Sequence, residues 1–221
     1  MKNEINNKWS IDIIRNKIKI LKDNEIYRIG DVLCINNKNS LVVKEIMSNE
    51  IYKDKLLYQY FDCDKKKDFF EIINKNKNKI DKYLDDNYIV MHVRSGDDIN
   101  GRCLTDSNKK KFLEKLKQYD LDKKVIIITA MHYGHNTNSS KFYSGKSYCY
   151  NDKNCNDNLT KIHKLITEMD HELEDIISNE DIDLDFLNLV FCENLIALDT
   201  AGGFAKTIIK YHKKYKDEKN K

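Results

Sequence analysis

The sequence predicts an α/β protein built around a parallel sheet. Residues 88–93 and 125–130 are short, mostly apolar runs between polar segments, as in strands that are buried on both faces. In the segments that follow these runs, apolar residues recur every three or four positions, which is the period of a helix. Because strands and helices alternate along residues 88–214, their order favours parallel pairing through helical crossovers.

The composition is that of a folded chain of 221 residues, of which 40% are apolar. Lys and Arg total 39 and Asp and Glu total 36, so the net charge is +3. This near balance argues against nucleic acid as a partner, because nucleic-acid-binding domains usually carry a strongly basic patch. No apolar run approaches the ~18 residues of a membrane span, and the first 22 residues lack the apolar core of a secretory signal. We therefore expect a cytoplasmic protein.

The first part of the chain, residues 1–85, is predicted to form a small amino-terminal α/β region. Residues 32–35 and 41–47 are short, β-branched runs separated by a turn-like segment, which indicates two strands. Residues 69–84 have apolar positions near one helical face and are predicted to form a helix. Residues 9–21 fit neither period cleanly.

Residues 86–216 are predicted to form the main domain, and residues 217–221 a charged tail. Within the domain, the most regular apolar spacing covers residues 159–176 and predicts a long helix. The predicted elements, in chain order, are a strand at 88–93, a helix at 107–119, a strand at 125–130, a helix at 159–176, a helix at 185–193, a strand at 195–198 and a helix at 202–214.

Candidate binding residues follow the predicted strands, because ligands of parallel α/β sheets bind at the carboxyl ends of the strands. The first strand leads through His92 and Arg94 to Gly96, Asp97 and Asp98. The Arg94 guanidinium offers a planar fork of donors to phosphate oxygens, and a glycine lets the backbone approach a ligand closely. Two other interpretations stay open, a structural ion pair of Arg94 with one of the aspartates and a place in the core for His92.

The second strand is followed by His132, a candidate general base or ligand contact. The alternative is a surface histidine on a loop. No carboxylate or cysteine stands close to His132 and His135 in the sequence, so no metal site is predicted. The six cysteines include no C-x-x-C pair and are expected to be reduced thiols.

The last predicted strand runs through a glycine pair into the closing helix. This turn contains Thr200, Gly202, Gly203, Phe204 and Ala205. Free backbone N–H groups and the positive end of the helix dipole make such a turn a candidate phosphate site. Neither a P-loop consensus nor a G-x-G-x-x-G fingerprint is present. Asp185, near the start of the preceding helix, is either a ligand contact or a helix cap.

Two segments together resemble a known family. The run His92-Val93-Arg94-Ser95-Gly96-Asp97 looks like the H-x-R-x-G-D motif of the fucosyltransferase superfamily with the GT-B fold. Residues 185–192 followed by 202–204 resemble the closing region of that superfamily. The resemblance implies that residues 86–216 form a Rossmann-like nucleotide-sugar-binding domain. It further implies an inverting, metal-independent glycosyltransferase that needs no cofactor and transfers a sugar, typically from GDP-fucose, to a glycan or other hydroxyl acceptor.

The resemblance also assigns roles to individual residues. Arg94 would contact the donor pyrophosphate, with His92 and Asp97 lining the same site, and residues 202–205 would meet the donor phosphates. Asp97, Asp98 or His132 would act as the base. Two alternatives stay open: a catalytically silent nucleotide- or carbohydrate-binding module of the same fold, and an RNA-binding protein, which only the lysine content favours.

Overall fold

The computed structural model describes residues 4–18, 20–21, 69–80, 85–95, 104–129, 131–132, 152–178, 182–201 and 203–221. The helices of these ranges are α1 (Ile11–Lys17), α2 (Phe69–Lys75), α3 (Asp106–Leu116), α4 (Asp152–Glu168), α5 (Ile182–Phe191) and α6 (Gly203–Lys219). The strands are β1 (Ile20–Leu21), β2 (Tyr88–His92), β3 (Lys124–Ile128), β4 (Met131–His132), β5 (Leu173–Ile177) and β6 (Asn194–Ile196).

Four of these strands form a parallel sheet in the order β5-β3-β2-β6. Met91 of β2 lies opposite Ile127 of β3 on one side and opposite Ile196 of β6 on the other. Both central strands are almost entirely buried, since helices cover the two faces of the sheet. The prediction of an α/β fold with a parallel sheet is therefore confirmed. A separate parallel pair joins β1 to β4.

One face of the sheet packs against α1, α3 and α4. Met91 and Ile127 belong to the same hydrophobic core as Ile14 of α1, Phe112 of α3 and Ile162 of α4. On the other face, α5 contacts β2, and α6 packs against α5. No helix among the described residues is long and apolar enough to cross a membrane.

The amino-terminal residues join this core through one short helix. Ser10 caps α1 by accepting a hydrogen bond from the backbone N–H of Ile13 over 3.3 Å. Trp9, just before the cap, is buried, and its indole Nε1 donates to the Leu173 carbonyl oxygen over 3.1 Å. Trp9 is apolar but lies outside the helix, which explains why residues 9–21 do not fit a helical period. The division of the chain at residue 85 stays a prediction.

The long helix predicted over residues 159–176 is wrong at its carboxyl end. Helix α4 ends at Glu168, and Leu173 and Ile176 belong to β5. The turn is held by Asn6, whose Nδ2 donates to the carbonyl oxygens of Ile166 and His171 over 3.1 and 2.9 Å. The spacing of apolar residues by three and four continues across the turn by coincidence. The helix ends at this turn because Asn6, which is distant in the sequence, bonds to the backbone there.

Two further predictions differ from the structure. The helix predicted over 69–84 ends at Lys75, where Asn76 Nδ2 donates to the Ile72 carbonyl oxygen over 2.8 Å. Such side-chain bonds to the backbone compete with helix continuation. The closing helix continues to Lys219, beyond its predicted end. The strands predicted at 32–35 and 41–47 lie outside the described residues.

Candidate functional site

The carboxyl ends of β2 and β3 are joined by a small buried polar cluster. Ser95 Oγ lies 2.6 Å from Thr129 Oγ1, and Asn158 Nδ2 of α4 donates to the Ser95 carbonyl oxygen over 3.1 Å. All three residues are buried. The segment that carries Arg94 is therefore fixed by bonds to the neighbouring strand and to α4. The sequence analysis assigned no role to Thr129 or Asn158, although Thr129 lies near the end of the strand predicted at 125–130.

The side chains of His92 and Phe204, two of the predicted site residues, are in contact. Their ring centroids are 5.4 Å apart in an edge-to-face arrangement, and Phe186 lies 6.1 Å from Phe204. His92 is 8% exposed, and its Nδ1 has no hydrogen-bond partner among the described residues. Burial, helped by the charge of Arg94, lowers the pKa of His92 to about 4, so the ring is neutral at pH 7.

The other predicted site residues are dispersed. Arg94 is half-buried just after β2, and Thr200 is exposed in a 3-10 turn after β6. Asp185 and Ala205 are fully buried. Gly203 opens α6, and His132 lies in β4 with its side chain outside the description. Gly96, Asp97, Asp98 and Gly202 lie outside the described residues. Of the predicted catalytic set, only the Arg94 side chain is described.

A second candidate site lies along β6, which pairs only with β2 in the described part of the chain. Here α3 and α6 enclose a cleft of about 680 Å³. Its rims carry Lys111 and Lys115 from α3 and Lys213 from α6, all three exposed. None of these lysines forms an ion pair with a described carboxylate. The cleft is also lined by the carboxylates of Glu114 and Asp199, so three lysines and two acids face it, and none of the three lysines is ion-paired with either acid.

Other polar groups of the cleft come from the two helices, from the turn after α3 and from Asp199 in the 3-10 turn after β6. Glu114 of α3 and Gln118 in the turn after this helix line the cleft with the two lysines. His212 of α6 lines the cleft with its Nδ1 3.1 Å from the Val190 carbonyl oxygen, and burial lowers the pKa of its ring. His212 is therefore neutral at pH 7 and adds no charge. In the part of the chain that is described, no three His, Cys, Asp or Glu side chains converge as metal ligands.

The comparisons with known proteins give one family. A family model for the type I restriction modification DNA specificity domain matches residues 63–178, which is more than half of the chain. This range includes β2, α3, β3, α4 and β5, and therefore the lysines of α3. The comparison with curated proteins gave no match, and neither did the comparison with solved structures.

The match overturns the function expected from the sequence. Membership of the fucosyltransferase superfamily is wrong, and so are the glycosyltransferase activity, the GDP-fucose donor and the glycan acceptor. The alternatives, a silent sugar- or nucleotide-binding module and an RNA-binding protein, do not agree with the match either. The run from His92 to Asp97 is only six residues long, and a strand that ends in polar residues and a glycine is common in parallel α/β sheets.

The expectation that nucleic acid is not a partner is also wrong. It rested on the net charge of +3, which sums over the whole chain and says nothing about where charges lie. Lys111 and Lys115 stand one turn apart on α3, and this local signal was available in the sequence. With more than half of its length matched, the chain belongs to the family of type I restriction modification DNA specificity domains.

Proposed function

We propose that this chain is a DNA-recognition domain of a restriction–modification system, which binds duplex DNA and does not itself catalyse a reaction. The observation that carries the proposal is the family match over residues 63–178. We further propose that the domain acts in the cytoplasm and needs no cofactor. The finer prediction of a Rossmann-like GT-B domain stays a prediction and adds nothing to this function.

The cleft between α3 and α6 supports DNA binding by its charge. Lys111, Lys115 and Lys213 are exposed and lack ion pairs with described carboxylates, so their ammonium groups are available to phosphates. A lysine that neutralises a DNA phosphate releases a condensed counterion, which makes the affinity depend on salt. Two lysines on α3 and one on the facing helix α6 suit the backbone of a duplex lying along β6.

The opposite edge of the sheet carries lysines that are already neutralised. Lys17 Nζ lies 2.8 Å from Asp175 Oδ1, and Lys8 Nζ lies 3.1 Å from Glu172 Oε1. Lys124 Nζ lies 2.8 Å from Glu174 Oε2. Since these pairs surround β5, we expect DNA to prefer the β6 edge.

Arg94 remains a candidate phosphate contact, now for the DNA backbone. Its half-buried guanidinium follows β2, the strand next to β6, and its segment is fixed through Ser95. Arginine binds phosphate through two parallel N–H bonds when its position is fixed. The other residues predicted at this edge stay predictions without an assigned role.

The test measures duplex binding by fluorescence anisotropy between about 50 and 200 mM salt, the range over which phosphate contacts dominate. The test variant replaces Lys111, Lys115 and Lys213 with glutamine. If each lysine meets one phosphate, the slope of log K against log salt should fall by about 2.7, at about 0.9 per contact.

A matched variant replaces Lys8, Lys17 and Lys124, the paired lysines near β5, and changes the net charge equally. Its salt slope should stay at the wild-type value. Circular dichroism spectra and Tm values establish that both variants fold. The proposal is wrong if the wild-type chain binds no duplex, and the assigned surface is wrong if both variants lose the same slope.

A further inference from the structure

On the side that faces the cleft, α3 and the turn after it carry both lysines and other polar side chains. Lys111, Glu114 and Lys115 lie on one side of α3, and Gln118 lies in the turn that follows the helix; all four line the cleft. All four are exposed. Phe112 and Leu116 of the same helix are buried against the sheet, and this packing fixes which side of α3 faces outward.

We infer that α3 reads base edges in the major groove, with Gln118 contacting adenine and Glu114 contacting cytosine. This inference rests on the proposed function. The glutamine side chain donates from its NH2 group to adenine N7 and accepts from adenine N6–H through its carbonyl oxygen, and a glutamate carboxylate accepts from N4–H of cytosine. Lys111 and Lys115 lie beside them, where phosphates border the groove.

The Glu114 carboxylate is available for this role. Its ion pair with Lys110 spans 3.9 Å, and the two side chains are 79% and 58% exposed, for lysine and glutamate respectively. Exposed pairs of this kind contribute little, so a base amino group can replace the lysine. Gln118 follows the last turn of α3 and is also exposed.

The dimensions of the helix and the duplex agree. The major groove is about 12 Å wide and admits an α-helix. Gln118 lies two residues beyond the end of α3, and its backbone N–H donates to the Lys115 carbonyl oxygen over 3.2 Å. The chain therefore keeps a helical course, and Glu114 and Gln118 are about 6–8 Å apart along it. With base pairs about 3.4 Å apart, the two side chains address positions about two base pairs apart. The cleft of about 680 Å³ beside α3 then faces one sugar-phosphate backbone, with Lys213 on its far wall.

The experiment selects preferred sequences from a randomised duplex library with the wild-type chain, Glu114→Gln and Gln118→Glu. The wild-type selection should yield a cytosine and an adenine about two base pairs apart. Glu114→Gln should change the cytosine position to adenine, and Gln118→Glu should change the adenine position to cytosine. Each change of preference should amount to about 5- to 150-fold, the discrimination expected of one good side-chain–base pair.

Glu71→Gln provides the control, since Glu71 is exposed on α2 and does not line the cleft. Its selected sequence should equal that of the wild-type chain. If the wild-type chain selects a sequence that neither α3 variant alters, the inference is overturned while the proposed function stands. If the wild-type chain binds no duplex at low salt, both are overturned.

Discussion

The side chain of Asn6 joins the amino terminus to the sheet, and replacing it with alanine should destabilise the whole domain. Its Nδ2 donates to the carbonyl oxygens of Ile166 and His171, and its Oδ1 accepts from the backbone N–H of Leu173 over 2.8 Å. The residue is 1% exposed. Asn6→Ala removes three hydrogen bonds at the turn between α4 and β5, and the three residues that lose them are buried.

The magnitude follows from the groups that lose their partner. A buried N–H without an acceptor costs about 1–3 kcal/mol, and the Leu173 N–H is such a group in the variant. The two carbonyl oxygens add smaller amounts, because a carbonyl oxygen has two lone pairs and the Ile166 oxygen keeps the hydrogen bond from the Met169 backbone N–H over 3.3 Å. We expect a loss of about 3 kcal/mol, which lowers the Tm of a chain of this length by about 6–12 °C.

Urea denaturation of the wild-type chain, Asn6→Ala and Asn7→Ala measures this loss. Asn7 is exposed beside Asn6, so its replacement should change the free energy of unfolding by less than about 0.5 kcal/mol. The m-value should stay the same in all three chains, which shows that only stability changed. A loss below about 1 kcal/mol for Asn6→Ala would show that the turn is held by other contacts.

Two other buried groups give predictions that need no DNA. Because the pKa of His92 is lowered to about 4 by burial and by Arg94, the unfolded chain takes up a proton below pH ~6.5 before the folded chain does. Stability should therefore fall as the pH drops from about 6.5 to about 4, by up to about 1.4 kcal/mol per pH unit, and His92→Gln should flatten this part of the profile. Burial raises the pKa of the Cys192 thiol, so peptide mapping after alkylation at pH 8 should find Cys192 unmodified in the folded chain and modified in urea. Rapid modification of Cys192 without urea would contradict its burial.

The central strands were predictable because their signal is local. Residues 89–91 of β2 and 125–128 of β3 are buried on both faces, and such strands must be apolar throughout. Alternation with helices then led to parallel pairing, which the structure confirms. The contact of His92 with Phe204 also follows from this logic, since the end of β2 and the start of α6 meet at one edge of the sheet.

The strand β5 was not predictable in the same way. Its Leu173 and Ile176 continue the spacing of α4, so the local pattern favours a helix. The contacts that decide the matter come from Asn6 and Trp9, more than 160 residues earlier in the chain. An analysis of local periodicity considers only neighbouring positions, so it does not include contacts with residues so far away in the sequence.

The candidate site was misread for a related reason. The motif around Arg94 was interpreted through its resemblance to one family. A resemblance over six residues at a strand end does little to exclude other families. Nucleic acid was excluded as a partner because the acids and bases of the whole chain nearly cancel. Which lysines are paired is a property of the folded chain, and it separates Lys17 from Lys111 where the sequence does not.

The small net charge is compatible with DNA binding because charges act over short distances in salt. At physiological ionic strength the Debye length is about 8 Å, so exposed charges farther apart than this are largely screened from one another. The strands β5 and β6 are the two edges of the four-stranded sheet and are therefore about 14 Å apart. A phosphate at the cleft beside β6 thus responds to Lys111, Lys115 and Lys213 and to the two carboxylates that line the cleft, and only weakly to the acidic residues around β5. Those acids around β5 lower the net charge of the chain, but each of them is already ion-paired with a neighbouring lysine. For a DNA-binding domain of this kind, the relevant quantity is the number of unpaired cations within one Debye length of the bound backbone, and the net charge does not measure it.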